Sequence, residues 1–301
     1  MGHCAMATNS SGTENTAIGF LALNANTTAN NNVAVGHQSL TTNTTGAGNT
    51  AVGHCALRLN LTGANNVAVG NCALQANTSD DNTATGWCAL ASNTTGAQNS
   101  ANSNYALRSN TTGTCNTAVG RSALQENTTG TVNTAVGVNA LLNNVLCSSN
   151  TAVGYNAICG NGTISGYDNT AMGEAALRCV TSGHSNVIMG KYAGLKNSTA
   201  VRNTMLGTCA GYLTTTGSCN TAVGTSALQA NTTGTNNTAV GTCSLLANTT
   251  GAGNTADGVC ALYAVTTGSE NVGVGFNSGK SITTAGANVA VGHSALQNTT
   301  T

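Results

Sequence analysis

The side chains with the most chemistry to offer in this 301-residue chain are twelve cysteines and five histidines. Seven cysteines, Cys4, Cys55, Cys72, Cys88, Cys209, Cys243 and Cys260, stand two residues after a recurrent glycine, that of an Ala-Val-Gly segment. Cys55, Cys72 and Cys88 occupy consecutive copies of that segment, as do Cys243 and Cys260. If each copy is one turn of a coil, neighbouring Cα atoms lie ~4.8 Å apart, inside the ~4.4–6.8 Å a disulfide spans. One disulfide between Cys243 and Cys260, and one within the Cys55, Cys72 and Cys88 trio, are therefore feasible in an oxidising setting. The competing reading is that cysteine is one more small side chain in a column that also accepts Ser, Asn and Ala. There is no Cys-x-x-Cys, so no zinc site is expected.

His3, His37, His54 and His293 each follow the recurrent glycine directly. His37 and His54 should be stacked neighbours. Two imidazoles without a third ligand make an incomplete metal site, and exposed strand positions explain them. No Ser-His-Asp constellation or pair of carboxylates can be assembled, and the glycines suit turns rather than a phosphate loop. The reading is non-enzymatic, without cofactor or metal. A third pattern is the Asn-x-Ser/Thr triplet, which in a secreted chain accepts N-linked sugar. In one column of the repeat it begins at Asn9, Asn26, Asn43, Asn60, Asn77, Asn93, Asn110, Asn127, Asn161, Asn197, Asn231 and Asn248, so glycans there would form a stripe. Asn-Thr-Thr-Gly also makes a good turn without sugar.

What positions all of these is an internal repeat. Its anchors are Gly2, Gly19, Gly36, Gly53, Gly70, Gly86, Ser103, Gly120, Gly137, Gly154, Gly173, Gly190, Gly207, Gly224, Gly241, Gly258, Gly275 and Gly292. Spacing is 17 throughout, except 16 before Gly86 and 19 before Gly173. Four residues before every anchor from Gly19 onward stands an asparagine: Asn15, Asn32, Asn49, Asn66, Asn82, Asn99, Asn116, Asn133, Asn150, Asn169, Asn186, Asn203, Asn220, Asn237, Asn254, Asn271 and Asn288. An amide carries both donor and acceptor, so identical amides at strand spacing can bond along an axis as a ladder.

The Thr or Val three before the anchor and the Val-like residue one before it are two apart, which suits one face of a strand. They are expected to supply one core wall. Ala or Ser three after the anchor and Leu four after it supply the other, and Asn-Thr-Thr-Gly is expected to turn with Gly or Asn at positive φ. Seventeen residues rich in Gly, Asn and Thr are too few and too poor in helix formers for a two-helix repeat. Disordered sequence would not hold Val and Leu in phase. The expected fold is all-β: a parallel β-solenoid of about 18 coils, 17 residues per coil, one continuous repeat domain over 1–301. At ~4.8 Å per coil it would be a rod roughly 85 Å long. Both ends of the sequence fall in mid-repeat, which reads as a window on a longer fibre.

Composition narrows the function. Charged residues are 5% of the chain, aromatics 3%, and the net charge is zero. That gives nothing to attract phosphate backbones or anionic lipid. No apolar run approaches the ~20 residues that span a bilayer, and no signal-peptide pattern is visible.

Asn-Val-Ala-Val-Gly at 32–36 and 66–70, and its Gly variant at 271–275, resembles the head repeat of YadA-like trimeric adhesins. Asn-Thr-Ala-Val-Gly-x-x-Ala-Leu-x-x-Asn-Thr-Thr-Gly at 116–130 and 220–234 resembles the stalk repeats of tail-fibre proteins. The resemblance covers the whole chain. It implies a parallel β-roll, often trimeric, displayed outside a cell or on a virion. The leading expectation is a structural component of a surface or extracellular fibre whose partner is itself, end to end or laterally. The alternatives are an adhesin or receptor-binding tail fibre and, behind it, an ice-binding solenoid.

Overall fold

The computed structural model describes residues 2–160 and 162–300. They form two compact units, Met1–Ser149 and Asn150–Thr301. Each is a parallel β-solenoid with about 17 residues per turn, and no helix occurs among the described residues. The first unit holds β1 (Thr16–Ile18) to β8 (Thr134–Val136), the second β9 (Thr151–Val153) to β17 (Val289–Val291). One strand precedes each anchor from Gly19 to Gly292. These seventeen strands make about sixteen turns, against the eighteen coils expected.

Each strand is only three residues long, and within each unit it pairs in register with the equivalent strand one repeat away. Thr16, Ala17 and Ile18 face Val33, Ala34 and Val35, and Thr221, Ala222 and Val223 face Thr238, Ala239 and Val240. Axial bonding continues outside the strands and alternates in direction. In the coil after Gly53, Cys55 donates back to the His37 carbonyl at 3.0 Å, while Leu57 donates forward to Ala73 at 3.0 Å and Leu59 to Gln75 at 2.9 Å. Asn65 donates back to Ala47 at 3.0 Å and Val67 forward to Asn82 at 2.9 Å. This alternation gives main-chain polar groups partners beyond the strands, in a coil with too little regular structure to provide them internally.

The core corrects the expected in–out pattern. In the strands the central residue is buried and its neighbours face outward: Ala51 is fully buried, while Thr50 and Val52 are half-buried on the outer face. The interior of each coil is lined by the strand Ala, the Ala and Leu after the anchor, and two asparagines, as in Ala51, Ala56, Leu57, Asn60 and Asn66. Leu fills most of this narrow lumen, so the strand contributes only a methyl. Two coils show the compensation directly. Where the strand centre enlarges to Ile188 or Met205, the Leu position of the same coil shrinks to Gly194 or Gly211. A Cβ on Gly194 would lie 3.3 Å from Ile188 and 3.4 Å from Met205, which conserves volume as close packing demands.

The turn reading is also corrected. The glycine of Asn-Thr-Thr-Gly is not among the positive-φ residues; apart from Gly160 in the 19-residue copy, those are the anchor, the residues two and four after it, and the one five before the next. The leucines four after the anchor sit near φ +50 (Leu57 at 50, Leu124 at 51). A left-handed conformation costs such side chains about 1–2 kcal/mol each, offset here by complete burial of the Leu side chain. The Asn-Thr-Thr-Gly glycine is required for space instead. A Cβ on Gly46 would lie 2.6 Å from Asn43 Oδ1 and would meet the Gly63 carbonyl of the next coil.

Candidate functional site

The solenoid brings like side chains together in axial columns, and any site must be built from these. The asparagines four before the anchor form a ladder. From Asn32 to Asn271 they are buried. Asn66 is representative. Its backbone N–H donates to Asn49 Oδ1 at 2.9 Å, its Nδ2 to the same oxygen at 3.1 Å and to the Ser79 carbonyl at 2.8 Å. Each amide oxygen thus holds the main chain of the following coil in register.

The asparagines of the Asn-x-Ser/Thr triplets form a second buried column. Asn26, Asn43, Asn60, Asn77, Asn93, Asn110, Asn127, Asn197, Asn231 and Asn248 have no accessible surface; Asn9 is half-buried, and Asn161 lies outside the described residues. Asn110 Nδ2 donates to Asn93 Oδ1 at 2.7 Å and to the Gly113 carbonyl at 3.0 Å, and Asn127 repeats this toward Asn110 at 2.8 Å. Nδ2 is the atom that would carry a sugar, and it is turned inward, so the folded coil has no place for a glycan in this buried column. This geometry lends no support to the expected stripe of N-linked glycans. The column's substitutes carried the signal in the sequence: Val180, Val265 and Ile282 take the same repeat position and are fully buried. Asn144, which begins no triplet, also belongs to it, donating to Asn127 Oδ1 at 3.1 Å.

In coils with asparagine at both positions the two columns can meet at one atom. The Gly46 carbonyl accepts from Asn32 at 3.0 Å and Asn43 at 2.9 Å; the Gly251 carbonyl accepts from Asn237 at 2.8 Å and Asn248 at 3.0 Å.

Cysteine forms the third column. Cys55, Cys72 and Cys88 share one backbone conformation, with φ 56, 57 and 52, and are thiols. Burial pushes the Cys88 thiol above its ordinary value, and the adjacent Cys72 adds to this. Burial likewise raises Cys55 against the lowering pull of Arg58, and raises Cys243 with help from Cys260. Burial raises the Cys159 thiol most strongly, Arg178 pulls it down, and the charge of Cys179 adds to the rise. Sequence reasoning missed that pair because the 19-residue copy places them 20 apart and out of column.

Rings form a short exposed stack one residue after the anchor, just beyond the strand. His3 and Phe20 are 5.9 Å apart, Phe20 and His37 5.2 Å, and His37 and His54 5.0 Å with planes 10° apart. Among the described residues no cluster of three or more His, Cys, Asp or Glu is placed to hold a metal, and no helix is long and apolar enough to cross a membrane.

The outer strand face carries Thr and Val in parallel rows, as in Thr117 with Val119 and Thr134 with Val136. The hydroxyls of these strand threonines make no hydrogen bond to the chain among the described residues. Threonines of the Asn-Thr-Thr turn are different: Thr111 Oγ1 donates to the Thr128 carbonyl at 3.1 Å and Thr232 Oγ1 to Thr249 at 3.0 Å. Compared with models of known families and with characterised proteins, the sequence matches none.

Proposed function

We propose that the protein is a structural component of a fibre at or outside a cell or virion surface, and that it associates with itself. The observation that supports this most is the uniformity of its interior. Coil after coil spends its buried positions on the same Ala, Leu and paired Asn, and its main-chain polar groups on bonds to the next coil. Such a repeat derives stability from nearest-neighbour stacking and gains by adding copies. The strand faces give it outward rows of Val and Thr for lateral contact. Electron microscopy of the native full-length material tests the reading. Filaments or bundles with an axial repeat of ~4.8 Å are expected; dispersed single particles at high concentration would overturn it.

A second reading, binding to ice, draws on one specific feature. The strand threonines face outward beside Val in parallel rows that carry a charge only at Asp257, with their hydroxyls uncommitted within the chain among the described residues. A thermal-hysteresis measurement decides it: a freezing-point gap that grows with protein concentration supports it, and none at millimolar concentration rejects it.

A further inference from the structure

We propose that Cys55, Cys72 and Cys88 form a thiol–disulfide relay, a column of three thiols that holds one disulfide and passes it along the axis through Cys72. The inference stands apart from the fibre reading and rests on stacking geometry. Cys55 donates its backbone N–H to His37 at 3.0 Å, Cys72 to His54 at 2.9 Å and Cys88 to Asn71 at 2.9 Å. The three residues are thus fixed to successive coils by the same bond and share near-identical φ values. Successive Cα atoms are ~4.8 Å apart and can be bridged. Cys55 and Cys88, two coils apart at ~9.6 Å, lie beyond the ~7 Å limit for a disulfide. Every disulfide in the trio must therefore contain Cys72.

The third thiol is what makes this a relay rather than a staple. When Cys72 is bonded to Cys88, Cys55 lies one coil away on the other side of Cys72, within bridging distance of it. A thiolate so placed can attack the Cys72 sulfur and displace Cys88. The accessibility of the ends differs: Cys55 is buried, whereas Cys72 and Cys88 are partly exposed. A small-molecule disulfide, RSSR, can therefore enter at Cys72 or Cys88 but not at Cys55.

The chemistry balances in three exchanges. The Cys72 thiolate attacks RSSR to give a Cys72–S–S–R mixed disulfide and releases RSH. The Cys88 thiolate then attacks the Cys72 sulfur, forming the Cys72–Cys88 bond and releasing a second RSH. The chain has lost two electrons and two protons, and RSSR has been reduced to two RSH. In the third step the Cys55 thiolate attacks Cys72, the Cys55–Cys72 bond forms and Cys88 leaves as thiolate, to be reprotonated while Cys55 gives up its proton. That step involves no net oxidation. Cys243 and Cys260, with no third cysteine in column on a neighbouring coil, can form one disulfide but cannot relay it.

Trypsin provides a clean readout on the intact chain. Lys and Arg are absent from 1–57 and from 59–107, so cleavage after Arg58 and Arg108 places Cys55 in one peptide and Cys72 with Cys88 in the next. Oxidised by glutathione disulfide, quenched in acid and digested without reductant, the protein is expected to yield two products. One is the 59–108 peptide two mass units light, from a Cys72–Cys88 bond; the other is 1–58 joined to 59–108 through Cys55 and Cys72. Alkylating the folded, oxidised protein with N-ethylmaleimide should drain the first into the second, because each passage of the bond to Cys55 exposes Cys88 to capture. C55S should give only the light peptide, C88S only the joined pair, and C72S neither. Serine is tolerated at this repeat position, as Ser122 and Ser226 show. A Cys55–Cys88 bond, any disulfide within the trio in C72S, three persistently reduced thiols, or a Cys72–Cys88 bond that alkylation leaves in place would overturn the relay.

Discussion

Asn99 and Asn110 belong to different columns of the interior yet converge on one oxygen, the Gly113 carbonyl, at 2.8 and 3.0 Å. Their other partners differ. Asn99 Oδ1 accepts the backbone N–H of Asn116 at 3.0 Å and its Nδ2 at 3.2 Å, so it holds the main chain of the next coil. Asn110 Oδ1 accepts only a side-chain amide, that of Asn127 at 2.8 Å. One column sets backbone register, while the other fills the lumen with amides that bond mainly to one another and to the local glycine carbonyl. This difference explains their tolerance of change. The first is Asn in all seventeen copies, whereas the second accepts Val180, Thr214, Val265 and Ile282.

The largest expected effect comes from breaking the first column. Asn99→Ala removes the acceptor of a buried backbone N–H together with three other hydrogen bonds. An orphaned buried donor costs about 1–3 kcal/mol and each lost bond adds to it, giving a total of roughly 3–5 kcal/mol. Asn110→Ala should cost less, about 1–3 kcal/mol. It orphans a side-chain oxygen, Asn93 Oδ1, and the protein already carries such unpartnered oxygens at Asn60 and Asn248. Denaturant unfolding of the two variants checks the order, and equal losses would erase the distinction between the columns. The double variant sharpens it further. Removing both donors also strips the Gly113 carbonyl, so its loss should exceed the sum of the two singles.

The fold and one of these columns were legible in the sequence for the same reason. A strict period with Asn, Leu and Gly in fixed phase admits only stacked coils. The second column was not anticipated as a ladder because Asn-Thr-Thr is at once a glycosylation triplet, a good turn and, here, a buried row. Local sequence does not separate these; the apolar substitutes in the same column do. The in–out error at the strand has a different origin. Period two groups residues by face but does not say which face is inside. With three-residue strands and a lumen already filled by Leu57 and its equivalents, the volume limit decided for Ala. The relay thiols were visible as a column, but the obligate role of Cys72 needed the axial spacing.

A smaller effect comes from pH. Burial raises the thiols of Cys55 and Cys88 above their ordinary value of 9.0, so the folded state holds these protons more tightly than the unfolded chain. Their contribution to stability is complete below the unfolded value and is lost as pH climbs through the folded one. Unfolding midpoints should therefore fall as pH rises beyond the ordinary thiol value, and the fall should be shallower in a C55S/C88S variant. An unchanged slope would remove buried thiols from the account. The amide columns do not titrate, so Asn99→Ala and Asn110→Ala should keep their spacing across this range.

The smallest effect should come from the outer face of the same coils. Val119 is 40% exposed and its neighbour in the strand, Ala118, is fully buried. Val119→Thr should shift stability by no more than about 0.5 kcal/mol, because the residue faces away from the lumen. Ala118→Val, adding two methyls where Leu107 and Leu124 already fill the interior, should cost about 1–3 kcal/mol through overpacking. A Val119→Thr loss comparable to that of Ala118→Val in a dilute, unassociated sample would mean that the outer row carries core energy after all. The same small stability change accompanied by weaker association at high concentration would instead assign the outer row to contacts between molecules. Interior amides would then fix each chain, and strand-face valines would join one chain to the next.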